Sequence, residues 1–402
     1  MSNKNISPEL WEKVEVHASR SEEITRKSLT YWQDAWRRLK QNKLSMLGLA
    51  LIIIMIVFAL FGSMLTEWDY STQTLKNANL PPKMDVVELP NGVYGFVHRE
   101  YTLFEVDDSG HIIDRLEPTN SMLDIMQNKR RVYEVEGKEL VLDFSFIAKA
   151  KKEGKVAEKA FELKVDGEEL KTVKSLWNKT YLFGSDDLGR DLFARVRYGA
   201  TISLLIALVA TLVQFFVGVF YGAIAGYAGG TTDMIMMRLV DVIATVPLLL
   251  YVILLMVVIG PGLKTIILAM GIIYWVGMAR IVRGEVLSLK EQEFVMAAKT
   301  LGASTWRIIA RHLVPNALGP IIVSLAMMIP SAIFTEAFLS FIGLGVPAPM
   351  ASWGTLANDA VKALRSYPFQ LLWPSLAISV TVLSFNFFGD GLRNALDPKL
   401  RR

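Results

Sequence analysis

The chain contains no cysteine among its 402 residues, so disulfides, thiolate metal sites and a cysteine nucleophile are excluded. It holds only four histidines, at 17, 98, 111 and 312, none at the spacing of a metal-binding pair. No Gly-x-x-x-x-Gly-Lys-Ser/Thr run is present: Gly260-Pro261-Gly262-Leu263-Lys264-Thr265 has neither the spacing nor the preceding strand. Gly-x-Ser-x-Gly and His-Glu-x-x-His runs are also missing, as are internal repeats and low-complexity tracts. The expectation is a chain that is not an enzyme and that binds no cofactor or metal of its own.

What is abundant is apolar sequence. Hydrophobic residues make up 52% of the chain and mean hydropathy is +0.34, too high for a soluble globule and too interrupted by charge for a chain wholly in lipid. A bilayer span needs roughly 20 apolar residues. Uncharged runs meet or approach this at 44–66, 198–232, 242–263, 265–279, 313–335 and 366–389. The fourth is short and needs Lys264 and Arg280 to snorkel from its ends. The fold class is therefore all-α transmembrane with six spans.

Basic flanks set the orientation. Six Lys or Arg lie between residues 26 and 43, against Lys76 and Lys83 between 66 and 85, which places the N-terminus in the cytoplasm. Six spans return the C-terminus, with Arg393, Lys399, Arg401 and Arg402, to the same side. The net charge of +4 thus reflects topology, not nucleic-acid binding. Tyr31, Trp32 and Trp36 beside Arg37, Arg38 and Lys40 fit either a helix in the headgroup plane or a plain anchoring flank.

The domain order read from this pattern is a cytoplasmic segment 1–43, a first span 44–66, an extracytoplasmic insert 67–197, a five-helix core 198–389 carrying a cytoplasmic loop 284–316, and a cytoplasmic tail 390–402. The insert holds 24 acidic and 20 basic residues. Turn residues at Asp107-Asp108-Ser109-Gly110, Glu136-Gly137 and Asp166-Gly167 between short alternating runs predict three hairpins, and a helix is expected over 144–159. The insert is read as mainly β.

The loop carries most of the functional signal. From Ser288 to Leu301 the residues Leu289, Phe294, Ala297, Ala298 and Leu301 recur near helical spacing, which predicts an amphipathic helix. Gly302 suits the left-handed stop, Ser304 or Thr305 caps a second helix from Trp306 to Leu313, and Pro315 marks a break before the fifth span. Ala297 and Ala298 offer a small-residue face to a partner. A helix-turn-helix reading fails because 33 residues pinned between two spans hold no third helix.

In the membrane, Arg238 and Asp241 sit three apart and are read as a structural ion pair. Glu336 is placed either to line the exit of a path or to reach water. Gly218, Gly222 and Gly226 form a flat face for helix packing within the subunit.

The loop resembles the coupling loop of bacterial ABC importer permeases, Glu-Ala-Ala, three residues, Gly, nine residues, Ile-x-Leu-Pro. Ala297, Ala298, Gly302 and Pro315 match, while Met296 replaces the Glu and His312 and Val314 replace Ile and Leu. Five further runs resemble the C-type subunit of oligopeptide and dipeptide importers (OppC/DppC type). They are Phe183–Asp191, Met237–Val242, Leu339–Gly345, Ser352-Trp353-Gly354 and Phe385–Arg393. The resemblance covers all but about residues 70–180.

It implies a permease in the bacterial cell membrane, moving peptides inward by alternating access. The implied partners are a second permease subunit, two ATPase subunits that hold ATP and magnesium, and an extracytoplasmic peptide-binding protein. ATPase coupling is expected at Glu291, Glu293, Met296, Ala297, Ala298, Leu301, Gly302 and Pro315. The alternatives are a permease of the same family for a nickel chelate or other small solute, and a membrane receptor with an external sensing domain. The receptor would need an output domain beyond the sixth span.

Overall fold

The computed structural model describes residues 30–152, 154 and 159–396. Expectations for residues 1–29, for positions 153 and 155–158 of the helix predicted over 144–159 and for the tail beyond 396 lie outside the described residues.

Helix α1 (Tyr31–Gln41) opens on a capping box between Thr30 and Gln33. It buries Ala35 and Leu39 and exposes Trp32 and Trp36, and the Tyr31 hydroxyl donates to the Leu396 carbonyl at 3.2 Å. Asn42 separates it from α2 (Lys43–Phe61), accepting from the amides of Leu44 and Ser45.

Residues 83–177 form the β module. Strands β1 (Lys83–Glu88), β2 (Tyr94–Val97), β3 (Leu103–Val106) and β4 (Ile112–Arg115) precede helix α3 (Met122–Asn128). Then come β5 (Arg130–Val135), β6 (Lys138–Asp143), helix α4 (Ser145–Lys152), β7 (Glu162–Val165), β8 (Glu168–Glu169) and β9 (Lys174–Trp177). They pair antiparallel in two sheets, ordered β4-β3-β2-β1-β9 and β5-β6-β7-β8. The three predicted hairpins are β3–β4, β5–β6 and β7–β8. The last two close on Glu136-Gly137 and Asp166-Gly167, all four residues at positive φ, the backbone that two-residue hairpin loops require.

Leu103, Tyr133, Leu140, Leu142 and Leu163 fill the space between the sheets. The other face of the first sheet buries Met84, Val86, Phe96 and Phe104 against Leu80 and Tyr181. This core stands without a covalent staple.

The module is fastened to the helical body by buried polar contacts. Ser185 Oγ donates to the Asn77 carbonyl and accepts from Leu80 N–H at 2.8 Å. Gln370 donates to Asn79 Oδ1 at 2.9 Å. The His98 ring stacks on Tyr367, centroids 5.8 Å apart, and its Nε2 lies 3.0 Å from the Asn79 carbonyl. Burial pushes the His98 pKa down, opposed by the Asn79 carbonyl and Glu100 and assisted by Arg115 and Arg99.

In the folded protein this ring stays neutral to lower pH than the unfolded value near 6.5. Stability is therefore full above about pH 6.5 and falls as pH drops toward the depressed folded value, by at most ~1.4 kcal/mol per pH unit for one proton. The opening free energy obtained from amide exchange in residues 94–104, corrected for the intrinsic rate at each pH, should fall between pH 6.5 and 5.5. His98→Gln should flatten that dependence; an unaltered profile would remove His98 as its cause.

Helix α5 (Leu192–Val213) starts on Asp191, whose carboxylate accepts from the amides of Phe193 and Ala194. It continues through a π-turn (214–218) into α6 (Val219–Ala228). Next come α7 (Gly230–Thr245), α8 (Leu248–Ile259), α9 (Leu263–Leu289), α10 (Glu293–Thr300), α11 (Thr305–Ile308), α12 (Val314–Leu339), α13 (Trp353–Ala363) and α14 (Phe369–Leu396). Among the described residues, five helices are long and apolar enough to cross a membrane: Lys43–Leu65, Leu192–Ala228, Leu263–Leu289, Thr305–Leu344 and Phe369–Leu396. The pair α7 and α8, bent by 79°, makes a sixth if counted as one span.

The third span is thus not one straight helix. Pro247 removes an amide and bars the helical backbone at Val246, which is extended at φ −86°, ψ 121°. Nor is the fourth segment short, because α9 carries Arg280 and Arg283 within its own length. Gly218, Gly222 and Gly226 lie against α9 as their spacing predicts. A Cβ at Gly218 would fall 2.6 Å from Met278 Cβ, and one at Gly226 2.9 Å from the Arg283 carbonyl oxygen.

Candidate functional site

The loop between α9 and α12 lies at the end of the bundle away from the β module. Lys290 at its entry donates to the Gly226 carbonyl at 3.1 Å, at the far end of the α5–α6 helix whose start touches the module.

Helix α10 is eight residues long and ends in a complete left-handed stop. Gly302 has φ +77°; its amide donates to the Lys299 carbonyl, and the Ala303 amide reaches back to the Ala298 carbonyl, both at 3.0 Å. These two bonds satisfy the last carbonyls of the helix. Ser304 then accepts from Arg307 N–H at 3.3 Å and starts α11.

The apolar face of α10 is turned from the expected direction. Val295 is 1% exposed and Ala298 is buried, packed with Val286, Ile308, Ile309 and Leu313. Ala298 therefore does not form an outward small-residue face with Ala297. Phe294, Met296 and Trp306 are exposed and Leu301 is 87% exposed; Glu291, Glu293 and Ala297 share that outer surface. With only two turns, α10 has one inward row, and the pair three apart, Val295 and Ala298, occupies it.

Pro315 does not break the chain either. A π-turn over 309–313 runs directly into α12, which accepts Pro315 in its first turn and keeps Pro320 and Pro330 inside. The wider turn shifts the hydrogen-bond register where proline has no amide to give. The loop is consequently continuous with the following spanning helix.

Side-chain contacts brace the same region. Arg283 of α9 makes two bonds of 2.6 Å to Asp233 of α7, Lys299 Nζ lies 5.8 Å from the Tyr227 ring centroid, and the Trp306 and Phe220 rings are 5.8 Å apart. The α10 helix is thus packed against α6, α9 and the α11–α12 stretch, and α9 is tied to α7. Asp233–Arg283 escaped the sequence reading because its partners are 50 residues apart. Val295 carried a signal, its three-residue spacing from Ala298.

The ion pair expected between Arg238 and Asp241 is replaced by Asp241–Arg280 at 2.9 Å. Arg280 on α9 meets Asp241 across the helix crossing. Both partners are about half exposed. Glu336 does not reach water: it is 0% exposed, bonded by Ser203 Oγ at 2.7 Å and Ser340 Oγ at 2.8 Å.

Gly302→Val would place a β-branched residue in left-handed backbone at a cost of roughly 1–2 kcal/mol, with nothing within 4 Å of the new Cβ. Membrane insertion should be retained while the coupling to transport that the resemblance implies for this loop falls several-fold. Equal solute uptake and equal ATPase stimulation in variant and parent vesicles would contradict this.

Residues 218–402 match the family described as binding-protein-dependent transport system inner membrane component, and residues 30–82 match the N-terminal TM domain of oligopeptide transport permease C. The oligopeptide transport system permease protein OppC of Bacillus subtilis is 40% identical over 399 residues, covering 99% of this chain and all of that one. The dipeptide permease DppC of the same organism is 39% identical, covering 99% and 95%. The OppC protein of Escherichia coli K12 is 47% identical over 221 residues, covering 55% of this chain and 73% of its own.

Proposed function

The chain belongs to the family of binding-protein-dependent permease subunits, in the branch of C-type oligopeptide and dipeptide permeases, and from that membership we propose that it forms half of a peptide import path. A second permease subunit supplies the other half. Two ATPase subunits bind below, holding the ATP and magnesium, and an extracytoplasmic peptide-binding protein delivers cargo from above. The basic flanks put both termini and the 284–316 loop in the cytoplasm of a bacterial cell, and the β module outside it.

The observation that carries this reading is the two-sidedness of α10. Its inner face packs against α6, α9 and the α11–α12 stretch, while Phe294, Met296 and Leu301 are exposed on the outer side. In the proposal these apolar side chains seat in a groove of one ATPase subunit, and Glu291, Glu293 and Ala297 line the rim. Gly302 and Pro315 then fix the geometry by which α10 hands motion to α12. An ATPase that binds one permease state more tightly than the other drives alternating access, since equal affinity for both would shift nothing.

Co-reconstitution tests the proposal. The chain, its partner permease, both ATPases and the binding protein are placed in vesicles and ATP-dependent accumulation of a labelled oligopeptide is followed. Accumulation that needs this chain supports the reading. Accumulation of a nickel chelate but not of peptides would move it to the other solute class.

A further inference from the structure

The Leu339–Gly345 and Ser352-Trp353-Gly354 runs take no part in coupling, and they meet at Glu336. This residue lies near the end of α12, before the π-turn 340–344. Its oxygens accept from Ser203 of α5 and from Ser340 in the π-turn, and Ser203 Oγ also receives the first amide of α13.

The surrounding packing admits little else. Trp353 Nε1 donates to the Val196 carbonyl at 2.9 Å, and the Trp353 amide to Ser203 Oγ at 3.4 Å. A Cβ on Gly345 would fall 2.6 Å from Ser340 Oγ, and one on Gly354 2.7 Å from Ser340 Cβ. Among the described residues, no basic side chain pairs with Glu336. A buried carboxyl without a counter-ion is costly, and an apolar side chain would pack there without that penalty. Its distinct capacity is to accept from α5 and the π-turn at once, and so to hold the Ser203 hydroxyl that receives the first amide of α13.

Resting on the transport reading above, we infer that Glu336 is the positioning residue of the path's outer closure, a latch that fastens α13 to the outer ends of α5 and α12. Opening toward the module side breaks its bond to Ser203, and with it the tie from Ser203 to the Trp353 amide, while Ser340, one turn along, travels with it. A latch differs from a permanent tie in that its bonds exist in one state of the transporter only.

Because the chain has no cysteine, Ala357→Cys on the buried side of α13 is a single reporter. The complete transporter in vesicles is treated from the module side with a membrane-impermeant maleimide, and mass added to this chain is followed over time. Labelling should be slow at rest and at least ~10-fold faster when the ATPases are trapped with a non-hydrolysable ATP analogue. At rest, Ser203→Ala should accelerate it up to about tenfold, the equivalent of one buried hydrogen bond, and Glu336→Ala by more. Glu336→Gln keeps the shape and one acceptor oxygen, and its amide N–H can donate to the Ser340 hydroxyl, so it should stay near the parent rate.

A parent rate unmoved by the trap, Ser203→Ala labelling at the parent rate, or Glu336→Gln as fast as Glu336→Ala would each overturn the latch. If Glu336→Ala does not assemble, Ser203→Ala, which removes one hydroxyl, decides alone. Peptide uptake by the Ala357→Cys parent is measured alongside. Its absence would count against the transport reading, whereas the labelling rates bear on the latch.

Discussion

Leu301→Asp combined with Met296→Asp is expected to lower ATP-driven peptide uptake by at least ~30-fold while leaving the chain folded. Leu301, the C-cap of α10, is 87% exposed and Met296 is 53% exposed, and neither belongs to the buried cluster beneath the helix, so that core stays intact when both side chains are changed. If they fill an apolar groove on an ATPase subunit, burying a carboxylate there in place of each apolar group removes a central contact of the kind worth about 2 kcal/mol or more. That is roughly 30-fold per residue in affinity. Co-purification of the ATPase should be lost in parallel with uptake. The comparison variant is Val295→Asp: it buries a charge among Val286, Ile308 and Leu313 and should abolish the folded protein itself. Full ATPase retention by the double variant would mean that the outer row of α10 is not the contact.

The second large effect concerns the helix pair that anchors this region. Gly222→Leu should prevent recovery of correctly packed protein, because the backbone of Ala279 on α9 already lies within contact of where its Cβ would stand, 3.0 Å from the Ala279 Cα. Overpacking of this kind costs about 1–3 kcal/mol when side chains can yield, and backbone yields less. Gly271 on the same α9 supplies the control, since nothing lies within 4 Å of a Cβ placed there. Gly271→Ala should unfold within a degree or two of the parent in detergent, whereas Gly222→Leu should lose the monodisperse species. Matching behaviour of the two variants would remove the α6–α9 contact from its place as the brace of the coupling helix.

Some features were legible in the sequence because a local rule sufficed. Glu136-Gly137 and Asp166-Gly167 announced their hairpins, since few dipeptides tolerate two consecutive positive φ values. The spans were legible because lipid demands length and apolarity. Strand β1 was not, although Asn91-Gly92 lies in the loop after it. Met84, Val86 and Val87 are all buried, on both faces of the sheet, and this erases the two-residue alternation by which a half-exposed strand is found.

At the site, the stop at Gly302 was legible because it rests on one residue's backbone freedom. The direction of α10 was not, because eight residues define no reliable stripe and the surface it meets is built from α6, α9 and α11. The π-turn that carries the chain through Pro315 has no sequence periodicity of its own. Glu336 showed only as a charge in an apolar run; its partner Ser203 lies 133 residues away, and the burial of both is a property of the assembled helices.

The most direct measurement is a cross-link from Leu301→Cys in a chain with no other cysteine. A short thiol-to-amine reagent applied to inside-out vesicles holding the complete transporter should join this chain to an ATPase subunit. The yield should change with nucleotide, and the same reagent offered from the module side of sealed vesicles should react with nothing at this position. Labelling of position 301 from the module side, or no ATPase adduct under any nucleotide condition, would contradict α10 as the point where ATP hydrolysis grips the path.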